Sequence, residues 1–397
     1  MKILVVSNLY PPQHIGGYEL GCRDVVDKLR ARGHLVQVLT STFRRRDLKD
    51  SLDETGVERS LQLCGDPADA PHNKLAECSK LSNAIRRFEP DLVYFWNQGG
   101  LCHWLPLAVR WHGKPYAFFL SDTNFVSWRI AAWLNGAARK NSLIRVLFGK
   151  TFLVRGKSIL ANRPCHFASE FLRSVAQTSG IGVAEKNSAG AHWGIEPAQF
   201  AAPPRERWPV RRLLYVGQMI PQKGVHTAIA AFALLAKEAG FEDLTFSLAG
   251  GGMNPDYEQK LRALPAQLGV AGRVRFLGQV PRAELPRIYA EHDALIFPSE
   301  WDEPFAITPL EAMASGLAVV GTTTGGSGEL FRNRETAMTF VAGDVSDCAR
   351  VIRELCRDRN LFETISRNGQ CVVREKHTLN AMMDRIECSL ENVVAEN

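Results

Sequence analysis

Short apolar runs alternate with amphipathic segments through the first half of the chain. KILVVS at 2–7 is one such run, and the segment that follows at 18–32 repeats apolar residues at helical spacing until Gly33 ends it. Similar apolar runs, each predicted to form a buried strand, occupy 35–40, 91–97, 116–120 and 158–162. Strands that alternate with helices predict a parallel sheet covered by helices on both faces.

The same alternation restarts after a proline-rich stretch at 197–209, which predicts a linker. Strands are predicted here at 212–217, 244–250, 274–278, 294–299 and 317–322, and helices at 225–239, 256–268, 283–290 and 309–315. We therefore predict an α/β protein with two doubly wound domains at 1–205 and 206–375, followed by a C-terminal helical segment at 376–397. Since such sheets bind ligands beyond the carboxyl ends of their strands, we expect a site in a cleft between two facing domains.

The composition is ordinary for a globular protein, with 45% hydrophobic and 23% charged residues. The net charge of +6 suits an anionic substrate but is too small to indicate nucleic-acid binding. The nine cysteines include no C-x-x-C pair, which argues against a zinc site and favours a reducing compartment. The sequence shows neither a signal-peptide pattern nor an apolar run of membrane-spanning length, so we expect a cytoplasmic protein.

The stretch SEWDEPFAITPLEAMASG at 299–316 carries two glutamates, Glu303 and Glu311. Thr308 fits the N-cap of a helix, with Pro309 at its first position and Glu311 closing a capping box on Thr308. A helix start at the carboxyl edge of a sheet also suits a phosphate, because its first N–H groups are unpaired and its dipole is positive there. A third interpretation is a hydrolytic acid/base pair that flanks a sugar bond.

Lys223-Gly224 favours the phosphate interpretation over the hydrolytic one. The pair follows the strand predicted at 212–217, at the same sheet edge as the stretch 299–316. A glycosidase needs neither a lysine loop nor an anion site at a helix terminus, whereas a sugar diphosphate is neutralised by both. A lysine before a helix is commonly only a solvated side chain, so the interpretation depends on the two features together.

Longer segments resemble the retaining, GT-B-fold glycosyltransferases of family 4. The segment EPFAITPLEAMASGLAVVGTTTGGSGEL resembles the family's E-x7-E signature and glycine-rich loop, and LLYVGQMIPQKG resembles its Arg-x4-Lys-Gly diphosphate loop. LAGGGMNPDYE and VRFLGQVPRAELPRIYAEHDALIFPS resemble the segments between them. The resemblance covers nearly the whole chain and implies a GT-B fold with two Rossmann-like domains, a nucleotide-diphosphate sugar as donor, and retention.

The resemblance also implies roles for individual residues. Glu303 would face the hydroxyls of the donor sugar, Glu311 would hold the ribose, and Lys223 would neutralise the diphosphate as it departs. Further donor-binding positions are implied at Gly16, Gly17, Gly251, Phe305, Ala306, Ile307, Thr308 and Leu310. The nucleotide base would pack near 278–285, and the C-terminal helix predicted at 378–394 would cross back to the N-terminal domain.

Two positions depart from the family pattern. The arginine of the diphosphate loop is Gln218 here, which donates hydrogen bonds without charge, and charge-assisted bonds are about twice as strong. The family's His-Asp pair reads Ser121-Asp122, so a serine stands where a histidine would approach the transferred sugar. Asp122 is either a catalytic residue at the cleft or the N-cap of the helix that follows.

The sequence contains no D-x-D, the motif with which many GT-A enzymes hold a metal, so we expect a metal-independent donor site without a cofactor. The segment 138–157 interleaves basic and apolar residues, which indicates either an anionic-membrane contact or an ordinary surface helix. Arg44, Arg45 and Arg46 add to either interpretation. If the segment does bind lipid, the protein would lie at the inner membrane face.

The sequence thus predicts a retaining hexosyltransferase that uses a nucleotide-diphosphate sugar and a glycan, lipid-linked or small-molecule acceptor, as in polysaccharide biosynthesis. Two alternatives remain open: a sugar-nucleotide epimerase or phosphorylase on the same fold, and a non-catalytic, degenerate glycosyltransferase. Gln218 and Ser121 suit the second alternative. Lys223, Glu303 and Glu311 argue against it, because a site that has lost its function has no reason to retain them.

Overall fold

The structure, a computed structural model, describes residues 1–43, 54–63, 73–123, 125, 160, 162–186, 188–201, 207–251 and 254–396. The chain forms two compact units, one of Met1–His192 with Met383–Asn397 and one of Trp193–Met382. The basic segment 138–157, Arg44 to Arg46 and the helix expected after Asp122 lie outside the described residues. Among the helices that the structure does describe, none is both long and apolar enough to cross a membrane.

The first unit contains a parallel sheet of seven strands in the order β3-β2-β1-β4-β5-β6-β7. The strands are β1 (Lys2–Val6), β2 (Leu35–Ser41), β3 (Val57–Leu61), β4 (Leu92–Phe95), β5 (Tyr116–Leu120), β6 (Cys165–Phe167) and β7 (Ala189–Gly190). β4 and β5 are buried at every position, as expected of strands covered on both faces.

One strand prediction in this unit was wrong. Of the segment 158–162, only 160 and 162 are described, and both lie in turns. The strand beside β5 is β6, whose Cys165–Phe167 pairs with Phe118–Leu120. An apolar run does not specify which of two neighbouring segments will pair with an existing strand, and here the later segment does.

In the part of the first unit that the structure describes, the helices that precede the second unit are α1 (Gly17–Ala31), α2 (Lys74–Phe88), α3 (Leu105–Trp111) and α4 (Glu170–Thr178). α1 begins one residue before its predicted start, because Glu19 accepts a hydrogen bond from the N–H of its N-cap, Gly16, at 3.0 Å. This bond satisfies one of the unpaired donors at the helix start and fixes the glycine pair there.

The second unit contains a parallel sheet of six strands in the order β10-β9-β8-β11-β12-β13. The strands are β8 (Arg212–Val216), β9 (Thr245–Ala249), β10 (Val274–Gly278), β11 (Ala294–Phe297), β12 (Ala318–Gly321) and β13 (Met338–Thr339). The helices are α5 (Val225–Leu235), α6 (Pro255–Gln267), α7 (Leu285–Glu291), α8 (Ile307–Ala314), α9 (Val345–Arg357) and α10 (Arg359–Lys376). Two parallel sheets with interleaved helices confirm the predicted α/β fold class.

The last helix, α11 (Leu379–Ala395), contributes its later part to the first unit. There Glu387 accepts hydrogen bonds from Arg32 and His34. Deeper in the unit, Ser389 lies 2.7 Å from Nε2 of the fully buried His166. These contacts join the end of the chain to the sheet that the first residues build.

The strand order sets where a ligand can bind in each unit. In the second sheet the chain moves outward from β8 through β9 to β10, then returns to the other side of β8 to form β11. The loops after β8 and β11 therefore part at the switch point, where open α/β sheets bind ligands. The stretches that contain Lys223 and Glu303 are these two loops.

Candidate active site

Lys223 and Glu303 form an ion pair at the switch point of the second sheet. Nζ of Lys223 lies 2.6 Å from Oε1 of Glu303, and the Ser299 hydroxyl donates to the same oxygen at 2.6 Å. Glu303 is only 3% exposed, whereas the Lys223 side chain retains 21% exposure. A buried carboxylate is tolerated when it is paired and hydrogen-bonded, and both conditions are met here.

The lysine loop is attached directly to the loop of Glu303. The Glu300 N–H donates to the Gln222 carbonyl at 2.9 Å. Gly224 has φ +62°, and a Cβ there would lie 1.9 Å from the Pro298 carbonyl oxygen. Only glycine allows both the left-handed backbone and this close approach, which gives a physical reason for the Lys-Gly sequence.

The glycine-rich loop at 325–328 supports the backbone of Glu303. Gly325 has φ +56°, and a Cβ at this position would lie 2.4 Å from the Glu303 carbonyl oxygen. The Gly326 N–H donates to that oxygen at 2.6 Å, and the Thr322 hydroxyl donates to the Ser299 carbonyl at 2.7 Å. The loop thus fixes both Glu303 and the serine that orients its carboxylate.

The capping box predicted for Thr308 and Glu311 was wrong. α8 begins at Ile307 with Ala306 as N-cap and without a side-chain cap, so Thr308 is the second helical residue. The helix starts two residues earlier than the proline suggested, because Pro309 is also acceptable at the third position, where its N–H is not needed. Phe305, the residue before the N-cap, has its ring 5.7 Å from the His377 ring.

Glu311 is buried within α8 and is held by a residue from α7. The Tyr289 hydroxyl donates to Oε2 of Glu311 at 2.8 Å. Burial, with a smaller effect of the Glu311 charge, raises the pKa of Tyr289 well above its ordinary value. The phenol therefore remains a neutral donor and fixes the orientation of the carboxylate.

Leu310 is the fourth residue of α8. The loops after β8 and β9 carry two further donor-binding candidates of this unit, Gln218 and Gly251. The Met219 N–H donates to the Gly251 carbonyl at 2.9 Å, and a Cβ at Gly250 would lie 1.8 Å from the Gly217 carbonyl oxygen. The Gln218 carbonyl accepts from the Tyr215 hydroxyl at 2.6 Å. These contacts bring Gln218 and Gly251 together at the carboxyl edge of the sheet.

Gly16, Gly17 and Asp122 lie in the first unit, at the carboxyl ends of its central strands. Gly16 is the N-cap and Gly17 the first residue of α1, and Gly16 has φ −149°, which any residue can adopt. Tyr18 donates to the carbonyls of Trp96 at 2.8 Å and Phe119 at 2.7 Å. These bonds tie the start of α1 to the ends of β4 and β5.

Asp122 is electrostatically close to this tyrosine. Burial of the Tyr18 hydroxyl raises its pKa well above the ordinary value, the Asp122 charge raises it further, and a hydrogen bond with Ser121 lowers it. Tyr18 therefore connects the glycine pair with the Ser121-Asp122 position at one edge of the first sheet.

The site also contains residues that the sequence analysis does not predict. Glu19 did carry a signal, since a glutamate three residues after an N-cap is typical of a capping box. Ser299, Tyr289 and Tyr18 carried none, because each acts through a partner distant in the chain. Within the described residues, no cluster of three or more His, Cys, Asp and Glu side chains could hold a metal ion.

Comparisons with known proteins agree on one family. The family model for glycosyl transferases group 1 matches residues 204–371. A glycosyltransferase of Methanocaldococcus jannaschii is 31% identical over 402 residues, covering 95% of each chain. A glycogen synthase of Mycobacterium tuberculosis is 27% identical over 382 residues, covering 90% of this chain and 86% of the relative.

Solved structures show the fold independently. Anabaena HepE in complex with UDP and glucose has a TM-score of 0.75 at 21% identity, covering 99% of this chain and 100% of HepE. Sucrose-phosphate synthase from Thermosynechococcus elongatus has a TM-score of 0.76 at 20% identity, covering 100% of both chains. Both resemblances span the two Rossmann-like sheets and confirm the GT-B fold. The chain therefore belongs to the glycosyl transferases group 1 and is a glycosyltransferase.

Proposed function

We propose that this glycosyltransferase transfers a hexose from a nucleotide-diphosphate sugar to an acceptor hydroxyl, with retention of the anomeric configuration and without a metal ion. The observation that carries the proposal is the ion pair of Lys223 and Glu303 at the switch point, beside the start of α8. HepE, which shares the fold, has been crystallised with UDP-glucose, and this supports a donor of that class.

The diphosphate and the two sugars of the donor are bound by different groups of the protein. The Lys223 ammonium and the unpaired N–H groups at the start of α8 bind the diphosphate, helped by the positive end of the helix dipole. The Glu303 carboxylate accepts hydrogen bonds from hydroxyls of the hexose, and Glu311 accepts them from the ribose. Gln218 contributes a neutral donor where a charged one is usual in the family.

Front-face attack is the mechanism we propose for retention. The acceptor oxygen bonds to the anomeric carbon on the face from which the diphosphate departs, and the bond from that carbon to the diphosphate oxygen breaks. The acceptor proton passes to the departing phosphate oxygen. Lys223 stabilises the charge that develops on this oxygen in the transition state, as a fixed donor does in an oxyanion hole.

The acceptor binds to the first unit. It is a glycan, a lipid-linked molecule or a small molecule. Gly16, Gly17 and Asp122 lie at the edge of that unit's sheet and are the residues we expect near the reacting groups. Contact with an anionic membrane through 138–157, and a cytoplasmic location, remain predictions.

A product assay tests the proposal. The protein is incubated in EDTA with UDP-, GDP-, ADP- or TDP-hexoses and a panel of hydroxyl acceptors, and nucleotide release and product configuration are followed by NMR. We expect nucleotide release only when donor and acceptor are both present, with the product in the donor's configuration. Release without acceptor, epimerised donor or an inverted product would contradict the proposal. Glu303→Gln serves as the inactive control.

A further inference from the structure

Trp301 is an exposed aromatic residue next to the ion pair, and the proposed mechanism does not use it. It follows β11, two residues before Glu303, and is 38% exposed. Nζ of Lys223 lies 5.6 Å from the centroid of its ring. An ammonium within about 6 Å of an indole face is attracted by the ring quadrupole. The side chain of Lys223 therefore contacts both a carboxylate and an aromatic ring.

The backbone on both sides of Trp301 is held by hydrogen bonds of its neighbours. Before it, Glu300 accepts a hydrogen bond from the Thr227 hydroxyl at 2.6 Å, and its N–H donates to the Gln222 carbonyl at 2.9 Å. After it, Glu303 is held by Ser299 and by the glycine-rich loop. These contacts fix the Cα of Trp301, and the 5.6 Å contact with Lys223 places its ring.

The two contacts of Lys223 differ in whether they use an N–H donor of its ammonium group. The bond to Glu303 uses one of the three N–H donors, and that carboxylate is also the group proposed to accept the hydroxyls of the donor sugar. When a diphosphate binds, the ammonium must turn donors toward it. A ring face attracts the charge without taking a donor or competing for the carboxylate, so this contact can persist in the bound state.

We propose that Trp301 is a positioning residue that holds the Lys223 ammonium at the diphosphate site while Glu303 exchanges the lysine for a sugar hydroxyl. The inference rests on the proposed function. It assigns to Trp301 a contribution to nucleotide-diphosphate affinity that acts entirely through Lys223.

A double-mutant cycle tests this dependence. Affinities for UDP, GDP, ADP and TDP are measured by calorimetry for the wild type, Trp301→Leu, Trp301→Phe, Lys223→Met and Trp301→Leu/Lys223→Met. We expect Trp301→Leu to weaken binding of the preferred diphosphate about three- to tenfold, and Trp301→Phe to retain affinity within about twofold. In the Lys223→Met background, the Trp301→Leu substitution should change affinity by less than about twofold.

Trp111→Leu is the matched control, because Trp111 is 90% exposed and lies in the other unit. It should leave the affinity unchanged. An unchanged affinity in Trp301→Leu, or an equal loss with and without Lys223, would overturn the inference while leaving the proposed function standing. Failure of the wild type to bind any of the four diphosphates would overturn both.

Discussion

The Lys223 ammonium lies 2.6 Å from the Glu303 carboxylate, although 80 positions separate the two residues in the chain. The strand order explains the meeting, because β8 and β11 are neighbours and their loops open at the same edge. Ser299 completes the arrangement by donating to the same carboxylate oxygen. A cation and an acceptor of hydroxyls are thereby held side by side, as a donor with both phosphate and sugar requires.

Removing either partner of this pair should abolish most activity without unfolding the protein. We expect Lys223→Ala and Glu303→Gln each to lower turnover by about 10²- to 10³-fold, since each removes a group that acts on the donor in the transition state. Steady-state rates of nucleotide release measure the effect, and circular dichroism checks the fold. Turnover near that of the wild type in both variants would show that the pair is not part of the site.

The same pair predicts an asymmetry in stability. Lys223→Met leaves the buried Glu303 without its counter-charge, and we expect a loss of about 1–3 kcal/mol, below the value for a fully buried pair because the lysine is partly exposed. Adding Glu303→Gln removes the uncompensated charge and should recover part of that loss. Urea denaturation measures the free energy of unfolding of the wild type and of the single and double variants. A double variant that loses the sum of the two single losses would contradict the coupling.

Gln218→Arg should tighten nucleotide binding. An arginine at the diphosphate loop replaces a neutral donor by a charged one, and charge-assisted bonds are about twice as strong, so we expect a gain of about three- to tenfold. Calorimetry with the preferred nucleotide diphosphate measures it at low and moderate salt, where the gain should shrink as salt rises. Gln218→Met serves as the uncharged control. Equal affinities in all three proteins would mean that this side chain does not face the diphosphate.

Gly224→Ala should lower the stability of the protein far more than Gly269→Ala, because the two glycines have similar backbone angles but only Gly224 is closely surrounded. Gly224 and Gly269 have φ +62° and +76°, but a Cβ meets the Pro298 carbonyl at 1.9 Å in the first case and nothing within 4 Å in the second. Gly269→Ala should therefore cost only the conformational strain, about 1 kcal/mol. Gly224→Ala should lose more stability and also nucleotide affinity, as measured by thermal melts with and without ligand.

His166 should make the first unit sensitive to acid. Its ring nitrogens contact the hydroxyls of Tyr94 at 2.8 Å and Ser389 at 2.7 Å. Burial lowers the pKa of His166 from 6.5 to about 3, so the folded state holds the neutral ring while the unfolded state takes up a proton below pH 6.5. This residue therefore does not reduce the free energy of unfolding well above pH 6.5, but reduces it progressively as the pH drops from 6.5 toward 3. At pH 5 the reduction is about 2 kcal/mol.

Comparing His166→Asn with the wild type isolates this contribution. The loss of unfolding free energy between pH 7.5 and pH 5 should be about 2 kcal/mol smaller in the variant, whatever its stability at pH 7.5. His14→Asn, at an exposed histidine, is the control and should follow the wild type. The same pH dependence in all three proteins would show that His166 is not held neutral in the fold.

The sequence predicted the fold class well because buried parallel strands are continuous apolar runs, as in YAFFL at 116–120. It was less informative where a boundary depends on tertiary contacts. Pro309 is compatible with several positions in the first helical turn, and the preference for Ile307 as first residue cannot be read from TPLE. β3, VERSL, lies at the edge of the sheet and has three consecutive polar residues between Val57 and Leu61, so it lacks the apolar run of a buried strand.

Some residues of the candidate site can be recognised from the sequence and others cannot. Lys223, Glu303 and Glu311 stand in local motifs whose chemistry can be recognised along the chain. Ser299 and Tyr289 have their roles only because the folded chain brings their hydroxyls to those carboxylates. Side chains that orient another residue across the sheet leave no local pattern and become visible only in three dimensions.

The central claim is that the Lys223–Glu303 pair binds a nucleotide-diphosphate sugar. The most direct test is a thermal-shift panel of UDP-, GDP-, ADP- and TDP-sugars on the wild type, Lys223→Ala and Glu303→Gln, since a ligand that binds only the folded state stabilises it. We predict that one base class raises the melting temperature of the wild type, and that the shift is lost in Lys223→Ala and reduced in Glu303→Gln. No shift with any sugar nucleotide, or equal shifts in all three proteins, would contradict the claim.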